Sequence, residues 1–399
     1  MPLSISSICR NITPSTTLRL NALVAEKRKQ GLDVISLAAG EPDFDTPEHI
    51  KQAAREAIDK GYTKYTASSG LPELRRALSE HIRSTKGLSY QPGEIIVGTG
   101  AKQVILGALI ALLEPGDEVL LPTPCWLSYP EMVRMAGGVP VLVPTTLEQG
   151  FMPDLSQLEA AVTPRTRAIV INTPNNPTGA VWDMRAMEAV AQCAKDHDLF
   201  ILSDEIYEML VFGGGSHIPM ASLSEDAYAR TVTISGMSKT YAMTGWRIGY
   251  AAGPKPLIDA MDAYQSHATG NPNTIAQHAA LAAVTASQQC VADMAQAFES
   301  RCQAVQELLR QVPGITVAPP LGAFYVMVNI EALLGKRFRG QMIETDGQFA
   351  ELLLEHALVS AVPGEPFFAP GCLRLSYAIN EKRLAEAVRR IKAFVEELI

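Results

Sequence analysis

Lys239 and Arg247 stand close together in a segment that opens at Ser235-Gly236 and holds a second glycine at Gly245. A lysine in a shielded site loses its proton readily and can attack a carbonyl carbon to form a Schiff base. An arginine beside it offers a planar fork of donors suited to a phosphate. A carbonyl and a phosphate on one ligand describe pyridoxal 5'-phosphate, which needs such a pair from its protein. The flanking glycines predict a turn rather than a regular element here, following a buried strand over Thr231–Ile234. Two solvated charges on a surface loop would produce the same short pattern, so the weight falls on what else the chain places nearby.

Other chemistry-bearing residues also follow short apolar runs. Gly98-Thr99-Gly100-Ala101-Lys102 follows Ile95–Val97 and opens a helix, where free backbone N–H groups suit a phosphate. It is not a dinucleotide fingerprint, because Gln103 stands where the third glycine is required, and it is not a P-loop. Trp126 follows Val119–Leu121 and can present an indole for stacking or fill a core. Asn175-Asn176-Pro177-Thr178-Gly179 follows Ala168–Ile171; turn chemistry explains most of it, yet two amides remain at the strand end. Asp204, with Tyr207 close behind, follows Leu199–Leu202. An acid at a buried strand end needs a partner, and a protonated pyridine nitrogen is a suitable one.

These residues need a scaffold that brings strand ends together. Seven apolar runs (95–97, 119–121, 139–143, 168–171, 199–202, 231–234 and 248–252) are interleaved with helical patterns such as Met184–His197, capped by Asp183. Continuous apolar strands alternating with helices predict an α/β fold with a mostly parallel seven-stranded sheet covered on both faces. Ligands of such sheets bind beyond the carboxyl ends of the strands. Upstream, residues 1–47 read as an arm with a helical patch at 18–30 and an extended run at 34–38. Thr46-Pro47 reads as a cap followed by proline at the first helical position. Past residue 290 a long helix is followed by shorter strands near 316–317, 324–328 and 373–377, a polar loop at 336–347 and an amphipathic C-terminal helix. The expected organisation is an arm (1–47) packed on a small α+β domain (291–399), with a large ligand-binding domain over 48–290.

Composition narrows the function classes. A net charge of −8 offers no basic footprint for nucleic acid. The longest apolar run, Val104–Leu113, is too short for a bilayer. Six scattered cysteines without a CxxC pair argue against a zinc site or a disulfide framework and point to a reducing cytoplasm. Met1–Leu20, rich in Ser and Thr and free of acids, has a faint transit-peptide composition.

Taken in order, Ala39–Phe44, Thr63-Lys64-Tyr65, Gly100–Gln103, Trp126–Pro130, Asn175–Gly179, Ser203–Tyr207, Ser238–Arg247 and Leu373–Tyr377 resemble the motifs of fold-type I, class I pyridoxal-phosphate aminotransferases, most closely the gamma subgroup of bacterial aspartate aminotransferases. The resemblance covers essentially the whole chain. It implies Lys239 as Schiff-base lysine and proton shuttle, and Asp204 on the pyridine nitrogen. Tyr207 and Asn176 fall on the ring hydroxyl, Trp126 on the ring face, and Arg247, Ser238 and the helix start at Gly100, Ala101 and Lys102 on the phosphate. Arg374 matches the clamp on the substrate α-carboxylate, with Trp126, Asn176 and the Gly40 backbone around it. Tyr65 matches a residue that reaches the neighbouring subunit's phosphate, which implies a homodimer with shared sites. Lys102 and Ser15 match the pair that reads a distal carboxylate; Gln265–Pro272 offers no arginine for that purpose. Ser15 would make the arm functional, against a transit role. Two residues depart from the family pattern: Ala101 replaces a common glycine, and Cys125 a common tyrosine.

The resemblance implies transfer of an amino group between an amino acid, aspartate or another dicarboxylic one, and a 2-oxo acid such as 2-oxoglutarate. Neither a metal, nor nucleic acid, nor a membrane is expected. An aminotransferase for aromatic amino acids or prephenate is the alternative within the fold, followed by a pyridoxal-phosphate β-lyase. A non-enzymatic regulatory relative would carry a basic DNA-binding module, and none is legible.

Overall fold

In the computed structural model, which describes residues 5–399, the seven apolar runs form one sheet. Its strands are β1 (Ile95–Gly98), β2 (Glu118–Thr123), β3 (Val139–Pro144), β4 (Thr166–Asn172), β5 (Phe200–Asp204), β6 (Thr231–Gly236) and β7 (Gly249–Ala252). Their spatial order is β1-β7-β6-β5-β4-β2-β3. The β3-β2-β4-β5-β6 pairs are parallel, and β7 alone runs against both neighbours. Except for edge strand β3, the strands are almost wholly buried, which is why they read as continuous apolar runs rather than alternating ones. Helices cover both faces. Val104, Ile105, Ala108 and Leu109 of helix Ala101–Leu112 join one core, and Met187, Val190, Cys193 and Ala194 of helix Met184–Asp196 another. The Asp183 carboxylate caps the latter by accepting from Ala186 N.

The reversal of β7 brings the site together. The other strands all end on one edge, so β7 starts there, and the residues just before it, Arg247 included, arrive beside the ends of β1 and β6. Three glycines meet at this corner: Gly249 pairs with Gly98 on one side and Gly236 on the other. A Cβ on Gly249 would lie 2.3 Å from Ala101 N, and one on Gly236 would lie 2.8 Å from Gly249 Cα. Only bare backbone lets the start of helix Ala101–Leu112 sit this close to the sheet.

The smaller α+β part holds a four-stranded antiparallel sheet ordered Val362–Pro363, Cys372–Ser376, Tyr325–Asn329, Thr316–Val317. Helices Gln289–Leu309, Asp346–His356 and Glu381–Glu396 pack on it around one core that includes Phe298, Val305, Phe349, Leu384, Val388 and Ile391. The arm docks there: Ile35-Ser36 pairs in parallel with Val359-Ser360, and Asp33 bridges Arg383 and Arg390 of the C-terminal helix. Of Met1–Leu20, the first four residues lie outside the described part. Thr16–Lys29 forms a helix, two residues earlier than the periodicity suggests.

Three local expectations are corrected. The Lys239 segment is not a plain turn: Met237–Thr240 makes one helical turn and Thr244–Trp246 a 3-10 turn, since the backbone bond from Tyr241 N to Met237 O closes a helical ring. Thr46 is not a cap. Helix Glu48–Asp59 is preceded by Pro47, and the Thr46 hydroxyl donates to Ala242 O, a partner remote in sequence. The polar loop at 336–347 contains a two-stranded hairpin, Arg337–Phe338 with Gln341–Met342, held because Phe338 and Ile343 enter the core. Among the described residues no helix is long and apolar enough to cross a membrane.

The glycine corner is testable. Gly249→Ala should lower the free energy of unfolding by about 1–3 kcal/mol, because the added methyl strikes backbone that cannot rotate away. Gly245→Ala, whose methyl meets nothing within 4 Å, should stay within about 0.5 kcal/mol. Denaturant midpoints of the two variants decide the comparison.

Candidate active site

A cavity of about 360 Å³ opens along the carboxyl edge of the large sheet, within the size range of small-molecule sites. The seven-stranded sheet supplies Asp204 from the end of β5, Asn176 from the turn after β4, Trp126 from the turn after β2, and Ala101 and Lys102 from the helix after β1. Ser238 and Lys239 come from the turn after β6, and Arg247 from the residues before β7. Arg374 comes from the middle strand Cys372–Ser376 of the smaller sheet. Gly40, Ser15, Thr17 and Leu18 of the arm complete the wall, as does Tyr207 beyond β5.

Two buried charges of opposite sign lie in this wall without a counter-charge. Asp204 is 4% exposed. Its Oδ2 accepts from the Tyr129 hydroxyl at 2.6 Å and its Oδ1 from Ile206 N at 3.2 Å. Among the described residues no cation pairs with it. Burial pushes its carboxyl up from an ordinary 3.8 to about 6, against the lowering effect of those two hydrogen bonds; the neighbouring Glu205 adds to the rise. Arg374 is 2% exposed. Its guanidinium donates to Asn176 Oδ1 and to Ala38 O, both at 2.9 Å, and no carboxylate among the described residues pairs with it. The Nε donor is buried with no partner. The rings of Tyr325 and Phe367 lie 4.5 and 5.0 Å from the guanidinium carbon. A buried charge with orphaned donors is costly unless an ion of opposite sign completes it.

Lys239 is half-buried, and its Nζ donates to Gly40 O at 2.6 Å. Burial pulls its ammonium down to about 8; Glu41 opposes this, while Arg247 and Arg374 add to it. The Tyr207 and Tyr325 hydroxyls lie 3.0 Å apart. Burial lifts Tyr207 well above the ordinary phenol value, so it stays a neutral donor. A Cβ on Gly40 would come within 3.3 Å of the Tyr325 hydroxyl, so the arm runs close over this pair.

At the glycine corner, Gly100 has φ +81°, and a Cβ there would strike the Arg247 guanidinium at 2.5 Å from Nη2. Arg247 itself adopts φ +57°, a strained value for a side-chain-bearing residue, and its Nη1 donates to Thr244 O at 2.8 Å. The first N–H groups of the helix after Gly100 have no intrahelical acceptor. Gln103, which breaks the dinucleotide pattern, closes this loop: its Oε1 accepts from Thr99 N at 2.9 Å and its Nε2 donates to Gln265 Oε1.

Lys102 projects over the Trp126 indole, Nζ 4.7 Å from the ring centroid; partial burial and then Arg247 lower its ammonium. The residue is exposed, yet it lines the cavity. Ser15 caps helix Thr16–Lys29 by backbone alone, leaving its hydroxyl free of a capping bond. Tyr65 lies outside this assembly: it is 98% exposed and does not line the cavity. Cys125 is buried in the core beside helix Ser128–Met135, burial pushing its thiol up to about 12, which makes it filler rather than a cavity group.

Tyr129 and Tyr325 are the residues that sequence reasoning passed over. Tyr129 lies inside the Trp126–Pro130 motif, but nothing local says that its hydroxyl meets Asp204. Tyr325 reads only as part of an apolar strand. The paired asparagines separate cleanly. Asn175 is spent on its own turn, accepting from Thr178 N and Oγ1, while Asn176 faces Arg374.

Residues 32–391 match the model of the family described as aminotransferase class I and II. The aspartate aminotransferase of Geobacillus stearothermophilus is 46% identical over 389 residues, covering 97% of each chain. The aspartate/prephenate aminotransferase of Thermus thermophilus is 47% identical, over 94% of this chain and 95% of that one. Among solved structures, the aspartate aminotransferase from Rhizobium meliloti superposes with a TM-score of 0.96 at 42% identity, covering both chains completely. The Thermus thermophilus aspartate aminotransferase with maleate superposes with a TM-score of 0.92 at 45% identity, covering 98% of this chain and 100% of that one.

The raised Asp204 carboxyl has a thermodynamic consequence. Between its unfolded value, near pH 4, and its folded value of about 6, the folded protein holds a proton that the unfolded chain has released. Its contribution to stability therefore falls as pH rises through that window. Asp204→Asn removes the titration. The stability of the variant relative to the wild-type protein, both free of ligand, should thus increase by on the order of 2–3 kcal/mol from pH 4 to pH 7. Urea unfolding at several pH values measures this, and a flat difference would contradict it.

Proposed function

The chain belongs to the class I and II aminotransferase family and is an aminotransferase, and we propose that its cavity holds pyridoxal 5'-phosphate and an amino acid, aspartate or another dicarboxylate. The observation that carries this reading is the pair of unmatched buried charges, Asp204 and Arg374, flanking a lysine lowered to about 8. The donor set fits the cofactor. Asp204 suits its ring nitrogen, Asn176 and Tyr207 its ring hydroxyl, and Trp126 its face. Arg247, Ser238 and the backbone at Gly100, Ala101 and Lys102 suit its phosphate. When bound, the cofactor supplies a carbonyl carbon and an electron-withdrawing ring that stabilises negative charge at the substrate α-carbon.

The protein's own groups do the rest. Arg374 grips the α-carboxylate with the donors that now lack an anion, and its planar fork fixes the orientation of the α-C–H bond. Lys239, whose ammonium is low enough to give a useful share of free amine near neutrality, removes the proton from that carbon and returns it elsewhere. Asp204 balances a positive ring nitrogen, with Tyr129 holding the carboxylate in place. Tyr207 and Tyr325 offer hydroxyl hydrogen bonds beside Arg374, and Gly40 brings the arm over the ligand. Lys102 and Ser15 stand at the arm side, where a distal carboxylate would lie. A relative solved with maleate, itself a dicarboxylate, agrees with that chemistry. Relatives named aspartate/prephenate aminotransferase favour a second acceptor, prephenate, which also carries two carboxylates.

In this reading residues 1–47 form the arm with part of the small domain, 48–290 the large domain and 291–399 the rest of the small one. The 98% exposure of Tyr65 fits a homodimer in which it reaches its neighbour's phosphate. Six free thiols fit a reducing, cytoplasmic setting.

Lys239→Ala should abolish amino transfer while the protein still retains pyridoxal phosphate that dialysis removes and borohydride does not fix. Turnover at a tenth of the wild-type rate would refute the assignment. For the substrate class, kcat/KM should be compared across aspartate, glutamate, alanine and phenylalanine with 2-oxoglutarate. Lys102→Ala should penalise the two acids by roughly 1.5–3 kcal/mol more than the others, about ten- to a hundredfold. Ser15→Ala should act the same way but less, since a neutral hydroxyl holds a carboxylate less strongly than a cation does. A uniform loss would assign Lys102 to the phosphate instead.

A further inference from the structure

Tyr325 opens strand Tyr325–Asn329 of the smaller sheet, yet its side chain lines the cavity at the edge of the larger one. The residues just before it are stitched to the large domain. Leu321 N and Gly322 N donate to Gly179 O at 2.9 and 3.0 Å, and Ala323 N donates to Leu210 O at 2.9 Å. These bonds reach the turn that carries Asn176 and the loop that carries Tyr207. Ala323 is held at φ +58°, a strained value for a residue with a side chain. Gly179 has φ +73°, and a Cβ there would lie 2.5 Å from Tyr325 O, so the two segments touch main chain to main chain. Within the smaller sheet Tyr325 pairs with Ser376 and Met327 with Arg374, which makes Tyr325 and Arg374 diagonal neighbours on one face. The Tyr325 ring accordingly lies 4.5 Å from the guanidinium carbon.

This bracing leaves a buried hydroxyl with one partner. The Tyr325 oxygen lies 3.0 Å from that of Tyr207, and among the described residues it has no other hydrogen bond. A phenol has one proton to give. Once Tyr207 gives its proton to a ligand oxygen, its contact with Tyr325 is a hydrogen bond only with Tyr325 as donor. A donor on the Tyr207 oxygen draws electron density from it and strengthens the bond that Tyr207 itself donates.

We propose that Tyr325 is a positioning residue that acts through Tyr207: its hydroxyl donates to the Tyr207 oxygen, aims the Tyr207 proton at the cofactor's ring hydroxyl oxygen and strengthens that bond. This rests on the assignment of Tyr207 to the ring hydroxyl. A stronger bond from Tyr207 neutralises more of the charge on the ring oxygen, which leaves less of it to hold a proton on the Schiff-base nitrogen of Lys239. The charged groups facing the tyrosine pair are Arg374 from the smaller sheet, Asp204 from β5 and Glu41 from the arm; the same three and Arg247 face Lys239. Tyr325→Phe alters none of them and keeps the ring in its packing.

The test uses protein loaded with pyridoxal phosphate and free of substrate. The readout is the midpoint pH of the change in the bound cofactor's visible absorbance. Tyr325→Phe should move this midpoint up by about half a unit. Tyr207→Phe removes the bond itself and should move it up further. The double variant should match Tyr207→Phe alone, because Tyr325 then has nothing to act through. An unmoved or lowered midpoint in Tyr325→Phe, beside a shift in Tyr207→Phe, overturns the proposal and leaves the role of Tyr207 standing. So does a double variant in which the two shifts add. A drop in the melting temperature of Tyr325→Phe with no shift assigns the hydroxyl to packing alone and also overturns it. Should Tyr207→Phe itself leave the midpoint in place, the assignment of Tyr207 to the ring hydroxyl fails, and the role of Tyr325 with it.

Discussion

Two isolated charges, Asp204 and Arg374, are the constraint on which the rest of the site depends. Each is buried and hydrogen-bonded only to neutral groups, Asp204 to Tyr129 and a backbone amide, Arg374 to Asn176 and a carbonyl. They come from different sheets, the acid from β5 of the large one and the arginine from the middle of the small one. Neither can relax into water, because each strand is paired on both sides. Left to themselves they destabilise the fold. In the proposed reading, a ligand that carries a cationic ring at one end and a carboxylate at the other would complete both charges and be oriented by them.

The same logic explains the close-packed corner where Gly98, Gly249 and Gly236 lie side by side. A helix start whose backbone amides could meet a phosphate must lie near the strand ends, and there a Cβ on Gly249 or Gly236 collides with main chain while one on Gly98 collides with the Gln103 and Val104 side chains. The reversed strand β7 then delivers Arg247 to the same corner in a left-handed conformation that a free loop would abandon. Gln103 and Gln265 stiffen the loop with side-chain amides in place of the glycine of other phosphate-binding turns; Gln265 also donates to Ser68 O and Val97 O.

Behind the sheet, Lys86, Glu205, Glu208 and His217 form an internal ion cluster. Asp204 lines the cavity and Glu205 faces this cluster, although the two are adjacent in the chain.

How much of this was legible beforehand follows from the range of each interaction. The seven strands, the cap at Asp183, and the set of polar residues at strand ends were written in local pattern, since burial on both faces forces apolar runs and chain direction forces the ends onto one edge. The motifs around Lys239, Asp204 and Asn176 could be read for the same reason: each lies within a few residues of the strand that positions it. Contacts between distant segments were not legible. That Tyr129 steadies Asp204, that Tyr325 meets Tyr207, that Thr46 bonds Ala242 instead of capping its helix, and that Lys86 reaches Glu205 across 119 residues all follow from packing of separate elements. The sequence by itself determined which chemical groups stand at the sheet edge. Only the tertiary structure decided which of their charges are paired and which are left for a ligand, because a counter-ion is a property of neighbours in space and the chain records only neighbours in order.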